Sequence, residues 1–164
     1  MSLKFERFTI FCRDMPASLH FYRDLLGLLA VEEKTIEGAA AGGLLQLPAC
    51  RMQITLLAAA ADSPVIVGLF QISETPLQTL PNPIGQPAYG STALVLSTTD
   101  FDGVHAALSA AGSRFLTPPV RYPKRQASER SPAGIYREMI VYDPDGVPVS
   151  ILQIDPIPRE GATS

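Results

Sequence analysis

One order of predicted elements occurs twice along the chain, and this repeat limits the fold more than any other feature. In each half, an alternating stretch typical of a strand leads to an aspartate and then to a helix that ends at a glycine. The first helix is predicted between Asp14 and Gly27, and the second between Asp100 and Gly112. Further strand-like segments follow each helix. A unit of one helix and about four strands is too small to bury its own sheet, so two such units are expected to pair their sheets.

In the first half, glycine and proline divide the chain after the helix into three predicted strands. Their sequences are LAVEEKTIEG, GGLLQLPA and RMQITLLAA. We therefore assign residues 5–60 to a first βαβββ module. Residues 61–90 are rich in proline and glycine and are predicted to form a linker, with a possible extra strand at residues 65–71.

The second half contains the same order of elements in residues 91–154. STALVLSTTD is strand-like, FDGVHAALSAAG is a helix with one apolar stripe, and SRFLTPP is a short strand. REMIVYDPDGVPVSILQ is predicted to be a hairpin, because the sequence Asp-Pro-Asp-Gly at residues 143–146 is typical of a tight turn. Residues 155–164 are taken as a C-terminal tail.

The composition is that of a globular domain and argues against several kinds of partner. The chain is 46% hydrophobic and 18% charged, which is enough apolar content for a packed core. Its formal net charge of −3 does not favour binding to nucleic acid or to an acidic membrane. No apolar run reaches the roughly 18 residues of a membrane span, and we expect a cytoplasmic protein. Cys12 and Cys50 lack a CxxC or Cys/His pattern and are expected to be reduced thiols.

Three segments resemble the signatures of one known group of proteins. FTIFCRDMPASLHFYRDLLGL resembles the opening signature of the vicinal oxygen chelate superfamily, which contains glyoxalases, extradiol dioxygenases and bleomycin-resistance proteins. LVLSTTDFDGVHAALSAAG resembles the start of its second module, and DPDGVPVSILQ its closing signature. The match covers roughly residues 5–154. It implies an α+β fold in which two paired βαβββ modules form a curved eight-stranded mixed sheet around a ligand-binding cup. By analogy of fold, it also implies a homodimer.

The resemblance further implies four metal-ligand positions, usually His, Gln or Glu, on the first and last strands of each module. Here they correspond to Arg7, Ala93, Ser150 and a position near Gln53 or Thr55. Arginine stays protonated, alanine has no donor atom, and serine is a poor ligand for the metals that imidazole and carboxylate bind. Gln53 is at best a weak ligand. We therefore expect no metal and no other cofactor, with a nonstandard divalent site as the alternative.

Other residues of metal-binding type are better explained by structure. His20 and His105 lie on the predicted helices, outside the sheet, and are interpreted as surface or boundary side chains. Glu32, Glu33 and Glu37 are interpreted as a solvated face or edge of an early strand, where charge discourages pairing with another sheet.

Strand alternation predicts which residues line the cup. Arg7 and Glu138 are the charged candidates, and the lining is otherwise apolar with several hydroxyl groups. The remaining ligand-binding candidates are Thr9, Phe11, Gln53, Thr55, Ala93, Val95, Ser97, Arg137, Pro148, Ser150 and Leu152. Such a lining suits a small organic molecule that carries a carboxylate, phenolate or enolate, with Arg7 as its partner. The alternative for Arg7 is a salt bridge with Glu138 or Glu6.

Arg137 and Glu138 are consecutive on a predicted strand, so only one of them faces the cup. The sequence does not decide which. If it is Glu138, this carboxylate is the best candidate for a general acid or base. The basic segment within residues 118–132 is either a lid over the cup or, more simply, a solvated loop.

Two functions therefore remain open. The first is a metal-free protein that binds a small, anionic or phenolic molecule, as drug-sequestering resistance proteins do. The second is a lyase, an isomerase or a dioxygenase-like enzyme that uses acid/base residues or a nonstandard divalent metal. The sequence does not decide whether the protein is an enzyme.

Overall fold

The computed structural model describes residues 2–79, 86–87 and 89–157. The chain divides into two compact units, Met1–Asn82 and Pro83–Ser164. Each unit contains a four-stranded mixed sheet in its described residues. The predicted α+β class and the βαβββ repeat are therefore confirmed. Among the described residues, no helix is both long enough and apolar enough to cross a membrane.

The described residues of the first unit form four strands and two short helices. Its sheet has the order β1-β4-β3-β2, with β1 parallel to β4 and the other pairs antiparallel. The π-helical segment His20–Leu25 continues α1. The elements are β1 (Phe8–Phe11), α1 (Met15–Leu19), β2 (Leu29–Gly38), α2 (Ala39–Gly43), β3 (Cys50–Ala58) and β4 (Val65–Ser73).

The second unit has the same topology with one helix. Its sheet has the order β5-β8-β7-β6, with β5 parallel to β8 and the other pairs antiparallel. The elements are β5 (Leu94–Ser97), α3 (Phe101–Ala110), β6 (Phe115–Lys124), β7 (Gly134–Tyr142) and β8 (Pro148–Asp155).

The helices α1 and α3 begin in the same way. The side chain of Asp14 accepts a hydrogen bond from Ala17 N, and that of Asp100 accepts one from Gly103 N, both at 3.0 Å. Such caps satisfy N–H groups that have no partner within the helix. A glutamine on the last strand satisfies another. Gln71 Oε1 accepts from Met15 N at 3.1 Å, and Gln153 Oε1 accepts from Phe101 N at 3.0 Å.

These glutamines identify the two faces of each sheet. Because side chains alternate along a strand, residues on the side of Gln71 and Gln153 face the helices, and their neighbours face the opposite way. The helix faces are apolar and fully buried at Leu57, Val67, Leu69, Met139, Val141 and Val149. We call the opposite side of each sheet its distal face.

The strand registers give equivalent positions in the two units. The first strand bonds to the last one at corresponding points, Cys12 N to Phe70 O and Thr98 N to Leu152 O. Phe70 is therefore equivalent to Leu152. From this point the registers match Arg7 with Ala93, Ile36 with Tyr122, Ile54 with Glu138, and Gly68 with Ser150.

Two strand assignments in the first half need correction. GGLLQLPA is not a strand, because the chain forms α2 and then a turn there. Three successive alanines favour the helix. Gly42 then lets the backbone approach closely, since a Cβ there would lie 2.0 Å from Pro48 O. The extra strand predicted at residues 65–71 exists as β4, but it lies inside the first sheet, between β1 and β3.

The basic segment in the second half is also more regular than predicted. β6 extends to Lys124, so much of the predicted loop at residues 118–132 belongs to the sheet. Lys124 Nζ then donates to Ser128 Oγ at 3.0 Å and to Ser131 O at 3.1 Å, which holds the following turn together. The segment is therefore a strand followed by a turn that Lys124 holds together with hydrogen bonds.

The predicted hairpin at residues 143–146 is confirmed. Asp143 Oδ1 accepts hydrogen bonds from Asp145 N at 2.9 Å and Val147 N at 2.7 Å. Gly146 has a φ of 91°, which a residue with a side chain rarely adopts. The linker residues 80–85 and 88, and the tail residues 158–164, lie outside the described residues.

Candidate functional site

The distal face of the first sheet carries an apolar pocket of about 220 Å³. Its base is formed by sheet residues, and the short helix α2 and the turn after it provide one side. Two cationic side chains, Arg7 and Lys34, complete the lining. The apolar lining residues are Ile36, Ala40, Ala41, Leu44, Met52, Ile54, Leu56 and Phe70.

Arg7 extends across the sheet because residue 68 is a glycine. A Cβ at Gly68 would lie 3.0 Å from Arg7 Cδ and 3.1 Å from Arg7 Nε. The guanidinium carbon lies 5.5 Å from the centre of the Phe70 ring. Glu6, one predicted salt-bridge partner of Arg7, instead pairs with Lys4 at 3.3 Å. Within the described residues of its unit, Arg7 pairs with no carboxylate, so its charge is available to a ligand.

Lys34 is less available than Arg7. Its Nζ lies 2.6 Å from Glu32 Oε1, and both side chains are about half exposed. An exposed ion pair of this kind contributes little to stability, and water or a ligand can displace it. The positive character of the pocket therefore comes mainly from Arg7.

The distal face of the second sheet has a different chemistry, centred on Glu138. Ser150 Oγ donates to Glu138 Oε1 at 2.7 Å, and the Tyr122 hydroxyl donates to Glu138 Oε2 at 2.9 Å. The three side chains come from β8, β7 and β6, which are adjacent in the sheet. Glu138, and not Arg137, thus lies on the face where an acid or base is predicted.

Arg137 lies on the helix face, which decides the choice that the sequence left open between Arg137 and Glu138. Its guanidinium forms an ion pair with Asp102 and lies over the Phe101 ring, 4.7 Å from the ring centre. Alternation explains the result, since consecutive strand residues point to opposite faces. Arg137 fastens α3 to the sheet.

The tyrosines beside Glu138 are ordered by ring stacking. The rings of Tyr122 and Tyr136 lie 5.5 Å apart with an angle of 22° between their planes. The hydrogen bond that Tyr122 donates to Glu138 raises the pKa of the Tyr122 phenol above its usual value. Partial burial and the charge of Glu138 act in the same direction. Tyr122 therefore remains a donor to the carboxylate at neutral pH.

Most of the other predicted lining residues lie on the distal faces. Thr9 and Phe11 do so in the first sheet, while Ala93 and Arg7 immediately precede β5 and β1. In the second sheet, the register places on this face Val95, Ser97, Pro148, Ser150 and Leu152.

Gln53 and Thr55 are the exceptions. They pair with Gln71 and Leu69, which places both on the helix face of β3. The prediction treated β3 as the last strand of the module, whereas β4 takes that place. The equivalent of Ser150 in the first unit is therefore Gly68.

The four positions that the resemblance assigns to metal ligands are thus Arg7, Gly68, Ala93 and Ser150. They offer one neutral oxygen, Ser150 Oγ, and its hydrogen already points to Glu138. This donor set does not fit a divalent metal ion, which needs several carboxylate, imidazole or similar ligands. The described residues also contain no cluster of three or more His, Cys, Asp or Glu side chains elsewhere that could hold one.

Several pocket residues were not singled out from the sequence. Phe70 was missed because β4 was placed in a linker, and the α2 residues Ala40 and Ala41 were missed because they lie between two predicted strands. Lys34 was missed because the neighbouring glutamates were interpreted as a solvated face or edge of the strand. Assigning Val65–Ser73 to the sheet would have placed Phe70 on the distal face by alternation alone.

Solved structures with the same fold are distant in sequence. A glyoxalase family protein from Bacillus cereus matches with a TM-score of 0.77 and 16% identity, over 94% of this chain and 96% of that one. The trypanothione-dependent glyoxalase I of Leishmania major matches with a TM-score of 0.59 and 13% identity, over 93% of this chain and 87% of that one. A fosfomycin resistance protein from Listeria monocytogenes, solved with Mn(II) and sulfate, matches with a TM-score of 0.51 and 12% identity, over 93% of each chain. Such identities support the fold alone.

The family comparison is more direct. None of the curated proteins matches this chain in sequence. The sequence model of the glyoxalase/bleomycin resistance protein/dioxygenase superfamily matches residues 4–151, from the residues before β1 to the middle of β8. The chain therefore belongs to the glyoxalase/bleomycin resistance protein/dioxygenase superfamily.

Proposed function

We propose that this protein binds a small organic anion, without a metal ion, on the distal face of its first sheet. One observation carries the proposal: an apolar pocket that contains an arginine with no carboxylate partner in its unit. Pockets of this kind hold the body of a ligand by apolar contact and orient it with a few polar groups.

The pocket volume limits the ligand. About 220 Å³ lies below the roughly 300–1,000 Å³ of pockets that enclose drug-sized ligands. The pocket therefore suits a molecule with one ring or a short branched chain, or one end of a larger molecule. Its walls, which include Met52, Ile54 and Phe70, favour an apolar body.

Arg7 determines the charge of the ligand. A guanidinium presents a planar set of donors that matches a carboxylate in a bidentate way. Gly68 leaves room for the Arg7 side chain across β4, and Phe70 supports the guanidinium from one side. A phenolate or enolate would accept the same donors.

The absence of a metal requirement rests on the donor set. Arg7, Gly68, Ala93 and Ser150 replace the ligand positions of the metal-dependent relatives, and binding through Arg7 needs no Lewis acid. The positive charge of a guanidinium takes the place that a metal ion would occupy in recognising an anion.

Binding of benzoate and of its neutral isostere benzamide, measured by calorimetry on protein treated with a chelator, tests the proposal. Benzoate should bind more tightly than benzamide, and Arg7→Gln should remove most of that difference. Arg51→Gln is the matched control, because Arg51 lies on the other face of the same sheet in an exposed pair with Glu37. Binding that needs added Zn, Mn or Ni, or that survives Arg7→Gln unchanged, would overturn the proposal.

One observation favours catalysis as a second candidate function. Glu138 lies on the distal face of its sheet, between two hydroxyl groups that could pass a proton on. This arrangement suits a lyase or isomerase that moves a proton without a metal. Transfer of deuterium from solvent into a neutral enolisable ketone, followed by NMR, tests it. If exchange does not exceed that in buffer, or if Glu138→Gln exchanges as fast, this candidate is wrong.

Homodimerisation and a cytoplasmic location stay predictions. The mass of the purified protein in solution, measured by light scattering at several concentrations, tests the first. Fractionation of cells that express the protein tests the second.

A further inference from the structure

We infer that the distal face of the second sheet binds a protonated organic amine, with Glu138 as its counter-ion. This inference does not depend on the anion site proposed for the first sheet, because the residues that carry it belong to the other unit. It begins with the charge of Glu138.

Several described carboxylates on the strands and helices pair with a cation. Glu32 pairs with Lys34, Glu37 with Arg51, and Asp102 with Arg137. Among the described residues, no lysine, arginine or histidine nitrogen forms an ion pair with Glu138, which accepts only the hydroxyl protons of Tyr122 and Ser150. The negative charge is held in place by neutral donors and has no cation beside it.

Fold stability does not require this charge. The equivalent position in the first sheet is Ile54, a core residue, so the topology accepts an apolar side chain there. A half-buried carboxylate loses solvation, and that loss is offset when a cation binds. An ionised carboxylate has about four lone-pair sites, so two remain after the Tyr122 and Ser150 hydrogen bonds.

The surroundings suit an ammonium group on an apolar body. Tyr122 is 42% exposed and stacks on Tyr136, and its hydroxyl group reaches Glu138, so the tyrosine lies beside a cation that binds this carboxylate. Val95, which pairs with Ser150, is 61% exposed on the same face, and Leu152 pairs with Glu138. A carboxylate, a stacked pair of aromatic rings and exposed aliphatic side chains are the groups that recognise an arylalkyl or alkyl amine.

Charge and shape exclude the main alternatives. An anion would be repelled by Glu138, and no guanidinium or ammonium among the described residues of this unit pairs with that carboxylate. A hard metal ion would receive one carboxylate and two neutral hydroxyl oxygens, fewer charged ligands than such ions need. A primary or secondary ammonium group can instead donate to the remaining lone pairs while its substituent covers Val95 and Leu152.

The test uses the full chain, treated with a chelator, and NMR titration at neutral pH. The probes are phenethylamine, 2-phenylethanol and 3-phenylpropanoate, which share a ring and differ in charge. The amine should bind at least about tenfold more tightly than the alcohol, as expected for a charge-assisted hydrogen bond. Glu138→Gln should abolish that preference, and Glu129→Gln, the loss of an exposed carboxylate in the same unit, should leave it unchanged.

Two further variants keep the result interpretable if Glu138→Gln fails to fold. Tyr122→Phe removes one hydroxyl and keeps the charge, so the preference for the amine should remain. Tyr122→Leu removes the ring and should weaken amine binding severalfold. Equal binding of amine and alcohol, an unchanged preference in Glu138→Gln, or displacement of the amine by millimolar Mn²⁺ would each overturn the inference. Benzoate binding, measured on the same samples, reports on the anion site separately.

Discussion

The two sheets share a framework and differ in the faces that point away from their helices. In both units an aspartate and a glutamine hold the start of the helix, and the strand order is the same. On the distal faces, Ile54 corresponds to Glu138, Gly68 to Ser150, and Arg7 to Ala93. The first face is apolar with a cation, and the second is polar with an anion.

The difference follows from what covers each face. In the first unit, α2 packs over the distal face and forms a core cluster with Cys50, Met52, Ile54 and Leu56. In the second unit, the corresponding strands β6 and β7 are joined by a turn in place of a helix, and hydrogen bonds from Lys124 hold that turn together. The residues under α2 must be apolar, whereas the second distal face, which no described helix of its own unit covers, can hold Glu138. The helix faces therefore specify the fold, and the distal faces are free to specify the ligand.

Exchanging the side chains of the equivalent residues Ile54 and Glu138 should change the free energy of unfolding most. Ile54→Glu places a carboxylate in an apolar cluster where the native side chain is 4% exposed. We expect a loss of about 3–5 kcal/mol in the free energy of unfolding, since no partner offsets the buried charge. Glu138→Ile should cost only about 1–2 kcal/mol, the loss of the acceptor for Ser150 and Tyr122. Chemical denaturation measures both, and equal losses would contradict the assigned difference between the faces.

The shared framework predicts equal effects at the two glutamines. Gln71→Ala and Gln153→Ala each remove an acceptor from the first turn of a helix, and each should lower the free energy of unfolding by about 1–2 kcal/mol. Gln53→Ala is the control, because Gln53 is exposed on the helix face, and a change within about 0.5 kcal/mol is expected. A marked difference between the two variants would show that the units do not use the same framework.

The framework could be predicted from sequence because its signals are local. Asp14 and Asp100 mark helix starts, Gly27 and Gly112 mark helix ends, and alternation marks the strands beside them. At both glycines φ is positive, at 78° and 70°. Each of these signals depends on a few neighbouring residues, and none depends on the partner strand.

The site depends on pairing, which the sequence does not display. GGLLQLPA is a short apolar run that can form a strand or a helix, and it was assigned wrongly. That error excluded β4 from the sheet and moved the expected ligand position from Gly68 to Gln53 or Thr55. The choice between Arg137 and Glu138 likewise needed the register between β7 and β8. The space that Gly68 gives to Arg7 becomes visible only when the two strands lie side by side.

Gly68→Ser makes the first sheet resemble the second at one position. The new Cβ would press on the Arg7 side chain and on Phe70, both of which can move, so stability should change by less than about 1 kcal/mol. The displaced guanidinium should bind benzoate severalfold more weakly. Gly43→Ser is the control, because a Cβ there meets no atom within 4 Å. Unchanged benzoate affinity in Gly68→Ser would show that the placement of Arg7 over β4 does not matter for the anion.

The smallest expected effect is a shift in one titration on the second face. Glu138 raises the pKa of the Tyr122 phenol, so Tyr122 should ionise at a higher pH than an ordinary tyrosine, and Glu138→Gln should lower that pKa. Because the folded-state pKa is raised, the contribution of the hydrogen bond to stability is complete below the unfolded-state value of about 10. It is lost as the pH rises through the folded-state pKa.

Absorbance at 295 nm against pH follows the ionisation, and the difference between the protein and its Tyr122→Phe variant isolates this one phenol among the five tyrosines. If the isolated curve is the same with Glu138 and with glutamine at that position, the hydroxyl does not donate to the carboxylate in solution. Glu138 would then have only Ser150 to orient it. The first face would then still have an oriented guanidinium at Arg7, but the second face would lack a carboxylate held by two hydroxyl groups.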